Sequence, residues 1–106
     1  MKIAIAVFEN HVKSPINDQF GRTDWFCIYD TLKNTTKYIE NTKRNLTENA
    51  GIESVNLLLD YKISIVVAGR FGSKVADMFQ KNKIQMIIPE KEQNLSVFIK
   101  LFQAKK

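Results

Sequence analysis

Two short segments of the sequence combine glycine with positive charge, a pattern typical of a site that binds an anion. One is GRFGSK, residues 69–74, which contains Arg70 and Gly72, and the other is NDQFGR, residues 17–22, which ends in Arg22. Glycine lets the backbone approach a ligand closely, and the first amides of a helix have no internal hydrogen-bond partner. A crevice that brings the two segments together would therefore suit a cluster, a phosphate or a carboxylate.

Two apolar runs place these segments at the end of buried strands. Residues 63–68, ISIVVA, predict an interior strand that Gly69 ends, followed by a helix that begins at Lys74 with Ser73 as its N-cap. Residues 2–8, KIAIAVF, predict a parallel neighbour of that strand. The loop from Glu9 to Asp24 starts at the carboxyl end of the first strand and is long enough to be functional.

The remaining segments complete an α/β pattern. Aromatic and β-branched residues predict a hairpin, and apolar residues at helical spacing predict two further helices. The predicted elements are a hairpin over residues 25–30 and 35–41, a helix over 50–61 with Asn49 as N-cap, and a strand over 84–88. The helix that begins at Lys74 ends near Asn82, before this strand, and the last helix begins near Asn94, after it. Right-handed crossovers then predict a ribonuclease H-like fold, a five-stranded mixed sheet of order 3-2-1-4-5 with strand 2 antiparallel.

The crevice of such an open sheet lies between the carboxyl ends of strands 1 and 4. The same topology brings Arg22, Arg70 and Lys74 to that edge as three cations. The predicted cofactor-binding residues are those that line the edge. They are Asn17, Asp18, Gln19, Phe20, Gly21, Arg22, Gly51, Gly69, Arg70, Phe71, Gly72 and Ser73. Two alternatives stay open: the glycines serve turns alone, and Asp18 or Asp24 neutralises Arg22.

Length and composition limit the class of protein. At 106 residues and 44% hydrophobic content, residues 1–106 predict a single domain, and no apolar run is long enough to cross a bilayer. We therefore expect a cytoplasmic protein without a membrane partner. The net charge of +5 has no clustered basic segment, so nucleic acid is a disfavoured partner.

The residues for catalysis and for metal binding are sparse. A ribonuclease H-like nuclease needs carboxylates on the sheet, and strand 1 carries none before Glu9. Cys27 lies in an aromatic strand, where a lone thiol is typical of the core. His11, in the long loop, is the remaining soft ligand and the one candidate for a metal. The sequence thus predicts a binding protein and not an enzyme.

Four pieces of the chain resemble the dinitrogenase iron-molybdenum cofactor biosynthesis family, which includes NifX, NafY and the carboxyl-terminal domain of NifB. They are MKIAIAV at the start, SPINDQFGR in the long loop, AGI at residues 50–52 and VVAGRFG after the fourth strand. The resemblance implies a ribonuclease H-like fold and a non-enzymatic carrier for an iron-sulfur or iron-molybdenum cofactor precursor. It also implies partner proteins that donate or accept the cofactor.

Gln19 stands where cluster-binding members of that family often carry a histidine. Glutamine lacks the basic imidazole nitrogen that iron prefers, so we expect at most one direct protein ligand, with His11 as the candidate. The alternative function is a basic interaction module that binds nucleic acid or a protein partner and has lost the cluster-binding role.

Overall fold

The computed structural model describes residues 1–90 and 92–103, which form one mixed sheet and three helices. The strands are β1 (Lys2–Val7), β2 (Trp25–Asp30), β3 (Thr35–Glu40), β4 (Ile65–Val67) and β5 (Gln85–Ile87), and the helices are α1 (Ala50–Leu59), α2 (Ser73–Lys81) and α3 (Leu95–Gln103). The strand order is β3-β2-β1-β4-β5. The predicted five-stranded α/β sheet is therefore confirmed.

Strand direction follows from how the strands are connected. A four-residue turn joins β2 to β3, which pair antiparallel, and β2 also pairs antiparallel with β1. The crossover through α1 makes β4 parallel to β1, with Ile3 beside Ile65, and α2 makes β5 parallel to β4. The carboxyl ends of β1, β4 and β5 therefore meet at one edge of the sheet.

Alternation along the strands gives the sheet two apolar faces. Phe26 and Ile28 of β2 join the core under α1 and α2, whereas Cys27 and Tyr29 join the core under α3. Every residue from Ile3 to Val7 is buried, as a strand covered on both faces requires. Among the described residues, no helix has the length and apolar content needed to cross a membrane.

The element ends agree with the prediction to within two residues, and the predicted N-cap of α2 is wrong. Helix α2 begins at Ser73, so Gly72 is its N-cap and Ser73 is not. The C-cap of α2 is Asn82, with φ −94°, and the next residue, Lys83, has the left-handed φ of 59°. Asn49 is the N-cap of α1 but adopts φ 62° and makes no side-chain capping hydrogen bond.

Helix α3 is capped at its start by the side chain of Asn94. Its Oδ1 accepts a hydrogen bond from the Val97 amide at 2.9 Å, which satisfies one of the open donors at the start of α3. Helices α1 and α2 lack an equivalent contact, so their first amides stay available to other partners.

Candidate functional site

The long loop after β1 is tied back to the sheet at the predicted crevice. The Asn17 amide donates to the Ala6 carbonyl at 2.8 Å, and the Gly69 amide donates to the Asn17 carbonyl at 3.0 Å. Gln19 then pairs with Arg70 in a short parallel bridge. The loop thus acts as an extra rung between the ends of β1 and β4, and the two predicted segments come together.

Close packing explains three of the four glycines. A Cβ at Gly69 would lie 2.7 Å from the Asp18 Cα, and one at Gly21 would lie 2.6 Å from the Gly51 Cα. Neither site has room for a methyl group. No glycine has positive φ, so turn conformation is not the reason for glycine here. Gly72 differs, because a Cβ there would meet nothing within 4 Å.

Two buried polar residues, Asn41 and Ser54, contact the Gly21 segment, and neither was predicted from the sequence. The Asn41 side-chain amide donates to the Gly21 carbonyl at 3.1 Å. The Ser54 hydroxyl has its shortest contact with the Ala50 carbonyl, at 2.7 Å, and also lies 3.1 Å from the Gly21 carbonyl. Both residues are buried, and the Ser54 hydroxyl is also 3.2 Å from the Asn41 Oδ1. The position of Asn41 directly after the edge strand β3 does not predict this role, because its partner is a backbone carbonyl twenty residues away in sequence.

The floor of the crevice is an aromatic cluster. The Phe20 ring is 2% exposed and lies 5.1 Å from the Phe79 ring and 5.7 Å from the Phe71 ring, centroid to centroid. Phe20 therefore belongs to the core beneath the site. Phe71 is only partly buried and remains accessible at the crevice wall.

The crevice itself consists of two adjoining hollows of about 370 and 360 Å³. Both are lined by Arg22, Gly51 and Gly72. The first also contains Gln19, Phe20, Gly21, Arg70 and Phe71, and the second contains Asn49, Ala50, Ser73 and Lys74. Two helix starts, Ala50 of α1 and Ser73 of α2, thus open onto the same space, which carries the positive end of both helix dipoles.

Three cations line the crevice, and they differ in how they are held. The Arg22 guanidinium donates through Nη1 to the carbonyls of Arg44 and Leu46, at 2.8 and 3.2 Å. It forms no ion pair with Asp18 or Asp24, so that alternative is wrong. Within residues 1–90 and 92–103 the ion pair is Arg44 with Glu40, at 3.1 Å. The Arg70 side chain is exposed and has no hydrogen-bonded or ionic partner among the same residues.

Asp18 and Asn17 of the predicted set contribute in other ways. The Asn17 side chain is buried and its Oδ1 accepts the Gln19 amide at 3.0 Å, which shapes the loop. Asp18 is exposed and faces a separate hollow with Gly69, Glu90 and Glu92, outside the cationic crevice.

Soft metal ligands are not gathered at the site. Cys27 is buried between β2 and α3, and burial raises the pKa of its thiol to about 12, so it stays protonated. His11 is exposed, does not line the crevice, and its Nδ1 accepts the Lys13 amide at 3.0 Å. Among the described residues no group of three or more His, Cys, Asp or Glu could hold a metal ion. The site offers charge and amides in place of a ligand cage.

Comparisons with known proteins agree with this architecture. The family model for the dinitrogenase iron-molybdenum cofactor matches residues 1–105. The apo form of the orange protein from Desulfovibrio gigas superposes with a TM-score of 0.90 at 19% identity, over 98% of this chain and 88% of that one. A Thermotoga protein provisionally assigned to NifB gives 0.83 at 20% identity, over 97% and 87%. These likenesses establish the fold. No curated protein matches the sequence.

Proposed function

We propose a carrier function for this chain, which belongs to the dinitrogenase iron-molybdenum cofactor family. In this proposal the protein binds an anionic iron-sulfur or iron-molybdenum cofactor precursor at the crevice between residues 17–22 and 69–73, and then releases it. The observation that carries the proposal is the convergence of two uncapped helix starts with Arg22, Arg70 and Lys74 on one space.

Charge supplies the affinity in this arrangement. Hydrogen bonds from a guanidinium to an anionic ligand are about twice as strong as neutral ones, and helix amides add donors without any loss of side-chain entropy. Arg22 is already oriented by two carbonyls, whereas Arg70 is free to close on a ligand. Arg22 therefore fixes the position of the cargo, and Arg70 responds to it.

The donor set determines what kind of cargo fits. Without thiolates or a histidine at the crevice, the protein leaves the metal's own inorganic or organic ligands in place. Gln19 adds a hydrogen-bonding amide at the wall of the crevice. Such a site suits a preassembled, negatively charged cluster that is held as a unit and handed on, and the protein has no part in assembling it.

The proposal also concerns context. Hand-over requires a protein that donates the cofactor and one that accepts it, and we propose both as partners. We propose that this transfer takes place in the cytoplasm, where reducing conditions preserve iron-sulfur species and lone thiols such as Cys27.

The test is anaerobic incubation with an iron-sulfur cofactor precursor, repurification, and then iron analysis with visible absorption. We expect retained iron, and we expect Arg70→Ala to reduce the retained amount several-fold without loss of stability, because that side chain has no partner in the described fold. Raising the salt concentration should weaken binding in the unmodified protein and have less effect in the variant.

The matched control is Lys33→Ala, which removes one positive charge from the turn between β2 and β3, at the opposite edge of the sheet. Equal loss of iron in both variants would mean that net charge alone matters. No retained iron, or retention unchanged in Arg70→Ala, would remove the crevice as the binding site. Binding of labelled oligonucleotides that requires Arg22 and Arg70 would favour the interaction module instead.

A further inference from the structure

Of the four glycines, all within the described residues, Gly72 is the one that neither packing nor backbone conformation explains. At the other three an added Cβ would lie 2.6 or 2.7 Å from a neighbouring atom, which at Gly51 is the Val75 Cγ2. At Gly72 it would meet nothing within 4 Å, and φ −68° with ψ 159° suits most residues. The N-cap position does not require glycine, because serine, aspartate and asparagine fill it at least as well. What Gly72 supplies is therefore open space.

That space belongs to the crevice. Gly72 lines both of its hollows together with Arg22, Gly51 and Val75, so these four residues form the boundary at which the hollows adjoin. Two of the four have no side chain, and the side chain of Val75 is buried. A ligand in one hollow can therefore extend across this boundary into the other.

The positive charges are divided between the two hollows. Arg70 lines the first and not the second, Lys74 lines the second and not the first, and Arg22 lines both. A compact anion in one hollow would meet Arg22 and one of the other two cations. An elongated anion with negative charge at each end would meet all three, and each additional charged hydrogen bond would strengthen its binding.

We propose that the cargo of the crevice is an elongated anion that lies across both hollows, and that Gly72 determines this specificity. A side chain at residue 72 would project from the boundary that such a cargo crosses. The proposal deepens the carrier function and rests on it for the assignment of the crevice as the binding site. It restricts the cargo to anions that carry charge at both ends, and it excludes those that fill one hollow.

Linear phosphates test the proposal, because they change in length while their chemistry stays the same. Isothermal titration calorimetry of the full chain at low salt compares orthophosphate, a compact anion, with tripolyphosphate, which is charged at both ends. We expect Gly72→Leu to weaken tripolyphosphate binding by about tenfold and orthophosphate binding by less than about twofold, because leucine obstructs the boundary and leaves each hollow accessible. Gly72→Ala should weaken tripolyphosphate binding by about threefold.

Removal of the two outer cations tests the same geometry from its ends. Arg70→Ala and Lys74→Ala should each weaken tripolyphosphate binding by about fivefold, because one ligand contacts both side chains. A ligand confined to one hollow predicts instead that one of these two variants has no effect.

Controls separate obstruction of the crevice from added bulk and from folding. Gln80→Leu adds the same side chain at an exposed residue in the last turn of α2, outside both hollows, and should leave both affinities unchanged. Circular dichroism checks that Gly72→Leu is folded, and Gly72→Ala carries the test if it is not. Three results would overturn the proposal: no tripolyphosphate binding, equal effects of the residue 72 variants on both phosphates, or no effect of one outer cation.

The iron-retention experiment distinguishes failure of this proposal from failure of the carrier function. Iron retained equally by Gly72→Leu and the unmodified protein would preserve the carrier function and overturn the elongated cargo. No retained iron, together with the expected pattern for the phosphates, would remove the carrier function and support a site for elongated anions of another kind.

Discussion

The contact between Gly69 and Asp18 predicts a large effect from a single added methyl group. In Gly69→Ala the new Cβ would lie 2.7 Å from the Asp18 Cα and 2.9 Å from its Oδ1. Carbon atoms pack at about 3.5–4.0 Å, so the loop must move by about 0.8 Å or more from the end of β4. The obstacle is backbone, which cannot rotate away as a side chain can.

Two costs add in this variant. Overpacking of a filled site typically costs about 1–3 kcal/mol. The displaced loop also strains the hydrogen bond from the Gly69 amide to the Asn17 carbonyl, now 3.0 Å, which is worth about 0.5–1.5 kcal/mol. We expect a loss of about 3 kcal/mol in the free energy of unfolding, or roughly 13 °C in Tm for a chain of this size.

Gly72→Ala, three residues later, is the matched control. It adds the same methyl group where nothing lies within 4 Å, at φ −68° and ψ 159°, which alanine adopts readily. The reduced entropy of the unfolded chain and the poorer N-cap nearly cancel, so we expect a change within about 0.5 kcal/mol. Urea unfolding followed by circular dichroism measures both variants. Equal stability of the two would refute the close approach of loop and strand.

Two further predictions concern buried groups. Asn41→Ala removes a buried side chain that donates to the Gly21 carbonyl, and it should cost about 2–3 kcal/mol by urea unfolding. Asn45→Ala, at an exposed residue, should change stability by less than about 0.5 kcal/mol, and a cost as small at Asn41 would contradict its role. Burial raises the pKa of Cys27 from 9.0 to about 12. Between these two pH values the thiol ionises in the unfolded chain but stays protonated in the folded one. The contribution of the buried thiol to folding stability is therefore complete below pH 9 and is lost as the pH rises towards 12. The destabilisation caused by Cys27→Ala should shrink by about 1.6 kcal/mol between pH 9 and 10.5, and a constant difference would be inconsistent with a protonated buried thiol.

The fold was predictable because its signals are local and strong. The continuous apolar runs at Ile3 to Val7 and before Gly69 mark strands buried on both faces, and the alternation of Phe26 with Cys27 divides the two cores. Crossover handedness then leaves one strand order, which the structure confirms. The ends of elements were less predictable, since the choice between Gly72 and Ser73 as N-cap depends on backbone angles that both residues can adopt.

The candidate site was predictable as a place but not in its contacts. Glycine and charge at the carboxyl edge locate the crevice. The reason for the glycines is different from turn geometry, because Gly21 faces Gly51 across thirty positions of sequence, and only the folded chain shows their approach. The partners of Arg22 were also missed, because backbone carbonyls leave no trace in residue types, whereas carboxylates such as Asp24 do.

The rung that joins Asn17 and Gln19 to Gly69 and Arg70 has a consequence for the order of folding. The β2–β3 hairpin closes over a four-residue turn, whereas this rung links residues about fifty positions apart, so its loop-closure entropy is overcome only after β4 docks beside β1. Amides of the crevice should therefore exchange with solvent through openings that leave the hairpin protected. A cargo that binds here recognises only chains that have completed folding. By mass action it raises the ratio of folded to unfolded chains by a factor of one plus the ratio of the free cargo concentration to its Kd.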